Sequence, residues 1–184
     1  MAAFRVPERS VQTETVGNLY KAALADDSKI DLKTKFTVTE VTPEDMDNGS
    51  WQVTGKTEND QKTYGAYDYV INALWYGRMG LDAKVGIPPS GIWSNRYRVS
   101  LFVKTKNAVD TPSAFVTVGA FGDVKNYDGQ SFYMSWYPAG LLMDSTDVLP
   151  KMPEPLTVEQ KNAIIENIRS GIATVLNDTN KILD

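Results

Sequence analysis

The chain has 184 residues, enough for one domain with a real core or for two small lobes. Its net charge of −4 argues against a nucleic-acid groove or an anionic membrane surface as its partner, and no apolar run approaches the ~20 residues that span a bilayer. It has no Cys and no His, which excludes disulfides, thiolate nucleophiles, Ser-His-Asp triads and imidazole metal sites. We therefore expect no metal site. Because the N-terminus has no apolar secretion signal, we expect a cytoplasmic protein.

The first third of the chain predicts one helix followed by short strands. Apolar residues recur at helical spacing over 11–26, and Ser10 stands where an N-cap is expected. From Ile30 to about Lys62 the residue pattern predicts three short strands, the first of them "IDL". The Asn48-Gly49 pair favours a tight hairpin turn between the last two of these. This part of the sequence predicts a small β-meander.

A further strand is predicted over 67–74, after the connection "TYGAY". Val70 and Ile71 are both β-branched, which is typical of a strand that is buried on both faces. The segment then ends in Ala73, Trp75 and Gly77. We expect it either to lie at a sheet edge or to pair with a second copy of the chain as a homodimer.

The second half predicts a larger sheet covered by a helix. One strand over 96–104 alternates, with Tyr97, Val99, Leu101 and Val103 on one face. "SAFVTVGAF" and "SFYMSWYP" are two more strands, separated by the turn-rich "GDVKNYDGQ". Thr157 and Gln160 form a capping box that opens a helix over 157–177. The sequence thus predicts an α+β fold, with a mostly antiparallel β-sheet covered by helices and a small β-meander.

Two arginines and two tyrosines are the candidate ligand-binding residues. Arg96 and Arg98 share one face of their strand, and Tyr133, Ser135 and Tyr137 share one face of another. If those faces adjoin, two guanidiniums and two phenols line one surface. That surface suits a carboxylate substrate, since Arg binds carboxylates bidentately and Tyr adds a hydroxyl donor. The alternative is the solvated face of an antiparallel sheet.

The order of the segments resembles the interior of FAD-dependent oxidoreductases of the D-amino-acid oxidase superfamily. The likeness is carried by "VPERSV", "NLYKAAL", "IDLKTKFTVTEVT", "GSWQVTG" and "YDYVINALWYGR", and by "PPSGIWSNRYR", "GAFGDVKNY" and "FYMSWYPAG" further along. The resemblance covers roughly 5–145. In that family the glycine loop that binds the FAD phosphates precedes the part that corresponds to this chain from Phe4 onward. A last flavin-contacting segment follows the part that corresponds to Asp184. The chain therefore resembles a fragment of a two-lobe flavoenzyme.

The resemblance implies a division of the chain and a cofactor. Residues 1–78 would supply an interdomain helix, the meander and the strand that joins the FAD-binding lobe, and residues 79–184 the substrate-lobe sheet and a C-terminal helix. Val38 and Ala73 match positions that contact the adenosine part of FAD in the family, although core packing also explains such residues.

The resemblance also implies an activity. The parent would oxidise a small amine or amino-acid-like substrate, with the rest of the flavoenzyme as partner, and this chain alone would neither bind FAD nor catalyse the reaction. The alternative is a non-catalytic α+β binding module for an anionic ligand or a protein partner.

Overall fold

The computed structural model describes residues 3–7, 9–45, 49–176 and 182. It is an α+β structure with antiparallel strand pairing, as the sequence predicts. The chain divides into two compact units. One unit contains Met1–Ala22, Arg96–Asp144 and Met152–Asp184, and the other contains Ala23–Asn95 and Ser145–Lys151. No helix among the described residues is long and apolar enough to cross a membrane.

Nine strands and four helices make up the described fold, in the chain order α1-β1-β2-β3-α2-β4-β5-β6-β7-β8-α3-β9-α4. The helices are α1 (Thr13–Asp26), α2 (Arg78–Lys84), α3 (Tyr137–Gly140) and α4 (Val158–Ala173). The strands are β1 (Thr37–Asp45), β2 (Ser50–Lys56), β3 (Gln61–Tyr67), β4 (Asn95–Arg98), β5 (Leu101–Lys104), β6 (Ala114–Val116), β7 (Gly122–Asn126), β8 (Ser131–Trp136) and β9 (Leu141–Ser145).

A four-stranded antiparallel sheet in the order β5-β8-β7-β6 forms the larger core. Alternate residues of its strands point to one face and are buried there together with the apolar stripe of α4. The buried set is Val124, Phe132, Met134, Ile168, Ile172 and Ile182. The predicted capping box is present, since Thr157 Oγ1 accepts from the Gln160 backbone and Gln160 Oε1 accepts from the Thr157 backbone. The prediction of a sheet covered by the C-terminal helix is confirmed.

Trp136 lies where α4 crosses this sheet, and glycines leave the space for its ring. A Cβ atom at Gly171 on α4 would lie 2.3 Å from Trp136 Cδ1. A Cβ atom at Gly122 on β7 would lie 2.4 Å from Trp136 Cε3. Real Cβ atoms do not come so close, so both positions require glycine if the ring is to stay in place.

The meander is a three-stranded sheet in the order β1-β2-β3. β1 and β2 pair antiparallel, as the predicted hairpin requires, and Asp45 lies opposite Ser50. Asn48 of the predicted turn lies outside the described residues. The predicted strand "IDL" is wrong, because residues 30–32 are exposed and irregular. The third strand is instead β3, over the stretch expected to be a connection.

Three other element predictions are also wrong. Residues 96–104 are two strands in different sheets: β4 pairs with β9, β5 pairs with β8, and the chain turns at Val99, whose N–H bonds to the Gly140 carbonyl. The predicted turn 122–130 begins with β7, a strand inside the sheet. Ser10 does not cap α1, which begins at Thr13, and its hydroxyl instead meets that of Ser113 at 3.2 Å.

Residues 68–74 are irregular and do not form a buried strand; Ile71 is 89% exposed. The Asn72 side chain explains this difference. Its Nδ2 donates to Asp82 Oδ1 at 2.7 Å and to the Arg78 carbonyl at 3.1 Å, and its Oδ1 accepts from the Leu74 backbone. Such local side-chain bonds give the backbone an alternative to a strand ladder.

Candidate functional site

The Arg98 side chain, at the end of β4, is anchored on β8. Its Nη2 donates a hydrogen bond of 2.8 Å to Ser135 Oγ. Ser135 is only 1% exposed, although it lies on the face of the sheet away from α4. Among the described residues, no carboxylate forms an ion pair with Arg98. The guanidinium is therefore held in position while its charge is not neutralised by a described carboxylate.

Tyr137 brings the two arginines together. The Arg98 guanidinium lies 4.0 Å from the centroid of its ring, and the Arg96 guanidinium lies 5.9 Å from it. Both distances fall within the ~6 Å range of a cation–π interaction. Tyr137 begins the short helix α3, directly after β8, so the end of that strand determines where its ring lies. Arg96, Arg98 and Tyr137 thus form one cluster, although Tyr137 lies at the start of α3 and not, as expected, on a strand face with Tyr133 and Ser135.

Arg96 is paired with Asp144 on the adjacent strand β9. Its Nε donates to Asp144 Oδ2 at 3.0 Å. This hydrogen bond, with Tyr137 as the next contributor, raises the pKa of Arg96 further above its ordinary value. Arg96 is therefore charged at every physiological pH, and Asp144 compensates part of that charge. The cluster has one compensated and one uncompensated cation.

The Tyr137 hydroxyl is buried without a well-aligned hydrogen bond to any described residue. The charge interaction of Arg96 with Tyr137, and a weaker side-chain hydrogen bond between them, both contribute to raising the pKa of Arg96. A buried polar group without a partner costs roughly 1–3 kcal/mol of folding free energy. The burial of such a hydroxyl therefore needs an explanation, either local strain or the binding of a ligand.

Tyr133 lies on the same face of the sheet as Ser135, two residues earlier on β8, a separation of about 6.6 Å along the strand. It stands opposite Phe102 on one side and Lys125 on the other. The Phe102 ring centroid is 5.3 Å away, and Lys125 Nζ is 4.8 Å from the Tyr133 centroid. Tyr133 is therefore beside the arginine cluster but in contact with a different cation.

Sequence reasoning missed Asp144 and Lys125. Asp144 is 48 residues from Arg96, and no local pattern predicts that pairing. Lys125 could have been predicted to lie on a strand, because residues 123–125 alternate polar, apolar and polar. Lys125 also forms an ion pair of 3.3 Å with Asp123 on the same face.

The two predicted FAD-contacting residues lie in different surroundings. Val38 is half-buried in β1, opposite Gly55. Ala73 is exposed in the irregular segment after β3. At the start of α4 the capping box engages the N–H groups of Thr157 and Gln160, and the sequence contains no G-x-G-x-x-G turn to hold a pyrophosphate. These residues offer at most an apolar contact to an adenine ring, so they do not by themselves fit FAD.

No group of three or more Asp, Glu, His or Cys side chains in the described part of the chain could hold a metal ion. Comparisons with protein-family models, with curated proteins and with solved structures find no match to this chain.

Proposed function

We propose that this chain is the substrate-binding portion of an FAD-dependent oxidoreductase that acts in the cytoplasm on a small amine or amino-acid-like substrate, and that it is not catalytically competent alone. The observation that carries the proposal is the position of Arg98, 4.0 Å from the Tyr137 ring and anchored on buried Ser135. The order of sequence segments supplies the flavoenzyme part of the proposal.

Arg98 would bind the carboxylate of the substrate. Its hydrogen bond to Ser135 uses one nitrogen, and the guanidinium fork has further N–H groups that match two carboxylate oxygens. The Tyr137 ring and Ser135 hold the guanidinium before the ligand arrives, which lowers the entropic cost of binding. Arg96, compensated by Asp144, adds positive potential beside it. On this proposal, FAD is held mainly by the remainder of the flavoenzyme, which is the partner of this chain.

The second candidate is a non-catalytic binding module for an anionic ligand or protein partner. One observation favours it: the cation cluster is built from Arg96, Arg98 and Tyr137 with Ser135 and Asp144, and its contacts need no cofactor. The two candidates share the same binding residues. They differ in ligand selectivity, because a substrate lobe must recognise an amino-acid-like molecule whereas a general module needs only charge.

The test is a titration of the 184-residue chain, followed by amide chemical shifts, with a set of amino acids and with the corresponding amino-acid amides. The amides keep the side chain and the amine but lack the carboxylate. We expect the amino acids, not the amides, to shift resonances of β4, β8 and α3. Arg98→Ala should weaken this binding at least about tenfold, because it removes a bidentate charged contact. Arg98→Lys should recover only part of the affinity, since a lysine cannot form the fork.

The matched control is Arg78→Ala, which removes an exposed arginine from α2 and should leave the titration unchanged. Equal binding by acids and amides would contradict the carboxylate role of Arg98. Inorganic phosphate serves as the second probe. A response to phosphate as strong as the response to amino acids would favour the general anion-binding module over the substrate lobe.

A further inference from the structure

The segment of residues 67–76, which we name the apolar ridge, exposes a row of large side chains after β3. Tyr69 and Ile71 are each 89% exposed, and Trp75 is 96% exposed. Between them, Val70 and Asn72 are half-buried. Exposure thus alternates along 69–72, which is the side-chain pattern of an extended backbone with one side turned outward.

The ridge is anchored on its other side. Asn72 bonds to Asp82 and to the Arg78 carbonyl of α2, and its Oδ1 holds the Leu74 backbone N–H at 3.2 Å. Within the described residues, 68–73 form no backbone–backbone hydrogen bond. Residues 69–72 precede the turn that Asn72 makes with Leu74, and their main-chain groups have no backbone partner in the part of the chain that the structure describes, as is typical of an unpaired edge.

The exposed area of the ridge is the size of a protein interface. Its four aromatic side chains are Tyr67, Tyr69, Trp75 and Tyr76, which are 40%, 89%, 96% and 58% exposed. Scaled by those fractions, they expose on the order of 600 Å², since a whole aromatic side chain buries roughly 150–250 Å². Ile71 and Leu74 add to this area. A standard interface buries about 800 Å² on each partner, and the largest apolar patch of a typical monomer, about 300–600 Å², is often functional.

We propose that the apolar ridge is a homodimer interface, in which two copies pack their ridges together about a two-fold axis and pair residues 69–72 antiparallel. A two-fold interface uses the same patch twice, so each copy supplies the apolar area that the other needs. Charge favours a second copy, because Asp68 is the only charged residue within 67–77, so the ridges meet without a cluster of like charges. Antiparallel pairing also supplies partners for the free main-chain groups of both copies. This interface is independent of the ligand proposal.

Sedimentation equilibrium of the 184-residue chain over a range of concentrations tests the proposal. We expect the mean mass to rise from 20.4 kDa toward twice that value with concentration. Ile71→Glu places a charge at the centre of the interface and should raise the dissociation constant at least about tenfold. The matched control is Ile92→Glu, the same change at a fully exposed isoleucine outside the ridge, and it should dimerise as the unaltered chain does.

Trp75→Ser is the second variant, and it should also weaken the dimer, since the exposed ring contributes little to the folded monomer. Amide hydrogen exchange adds a direct readout: residues 69–72 should exchange more slowly at high protein concentration than at low. A chain that stays monomeric at all concentrations would overturn the proposal and leave another occupant for the ridge. A dimer that Ile71→Glu does not weaken would overturn it as well, because the interface would then lie elsewhere.

Discussion

Arg98 Nη2 donates to Ser135 Oγ at 2.8 Å, and Ser135 is almost fully buried beneath it. The two residues are 37 apart in sequence and join the end of β4 to β8. Because of this contact, Arg98 has a different environment from Arg96, although both are exposed arginines on one strand. Arg98 covers a polar group of the sheet, whereas Arg96 pairs with an exposed carboxylate.

The first prediction follows from that difference. Arg98→Ala should lower the free energy of unfolding by about 1 kcal/mol, because it removes the hydrogen bond that the charged guanidinium donates to Ser135 and exposes Ser135 to solvent. Arg96→Ala should cost less than about 0.5 kcal/mol, as is typical of an exposed ion pair. Urea unfolding of both variants, with Arg78→Ala as the control, measures the difference. Equal losses for Arg96→Ala and Arg98→Ala would show that the Ser135 contact does not contribute to stability.

The second prediction concerns the packing of Trp136. Gly171→Ala should lower the free energy of unfolding by about 1–3 kcal/mol, because the new methyl group overlaps the indole ring and forces it to move. Gly17→Ala is the matched control, since that glycine lies inside α1 with no atom within 4 Å of its would-be Cβ. The control should be neutral or should stabilise by up to about 1 kcal/mol through helix propensity. Thermal melting of the two variants compares them, and a neutral Gly171→Ala would mean that the ring has room to shift.

The sequence predicted those elements whose signal is local. The capping box at Thr157 and the apolar stripe behind it fix α4 without help from other segments, and the alternation in "SFYMSW" fixes β8. The shared face of Arg96 and Arg98 was also predictable, because residues two apart on a strand lie on one side, whereas their approach to Tyr137 on α3 depends on contacts between distant segments. Predicting this helix, this strand and this shared face needed only the spacing of residue types within one segment.

The failures came where non-local contacts decide the structure. β7 contains Gly122, Asp123 and Asn126, which are typical of turns, yet it pairs with β6 and β8, and its Val124 is buried in the core cluster with α4. The alternating run 96–104 gave no sign of the break at Val99, which depends on the Gly140 carbonyl. The Arg96–Asp144 pair likewise depends on the pairing of β4 with β9. The spacing of residue types within a single segment does not indicate contacts with segments that are distant in sequence.

The third prediction concerns acid stability at the β7–β8 turn. Asp128 accepts from the backbone N–H groups of Gln130 and Ser131 at 2.9 and 2.6 Å, and also from the Ser131 hydroxyl. These bonds favour the ionised carboxylate and lower the pKa of Asp128. Because the pKa is lower in the folded state, the stabilisation is present above the unfolded pKa of about 4 and is lost as the pH falls through the folded value.

Asp128→Asn removes this titration but keeps an acceptor oxygen. We expect the variant to melt below the unaltered chain at pH 7 and the difference to shrink as the pH falls through the lowered pKa of folded Asp128, below which both side chains are uncharged. Thermal melting at a series of pH values measures the gap. Asp27→Asn is a suitable control, because that carboxylate accepts from only one backbone N–H group, that of Lys29. A gap that does not change with pH would contradict the role of the carboxylate charge.

The last prediction concerns the binding of FAD to the 184-residue chain. Purified as 184 residues, the chain should be colourless and should show no oxidase or dehydrogenase activity. A pyrophosphate is generally held by close backbone approach at a glycine-rich turn, and no two of the thirteen glycines stand two positions apart as that turn requires. Val38 and exposed Ala73 could offer only apolar contact, and association entropy alone costs several kcal/mol. Binding should therefore be millimolar or weaker, about −4 kcal/mol. The protein is mixed with excess FAD, desalted and examined by visible absorption, and a retained flavin band near one equivalent would show that a cofactor site lies within these residues.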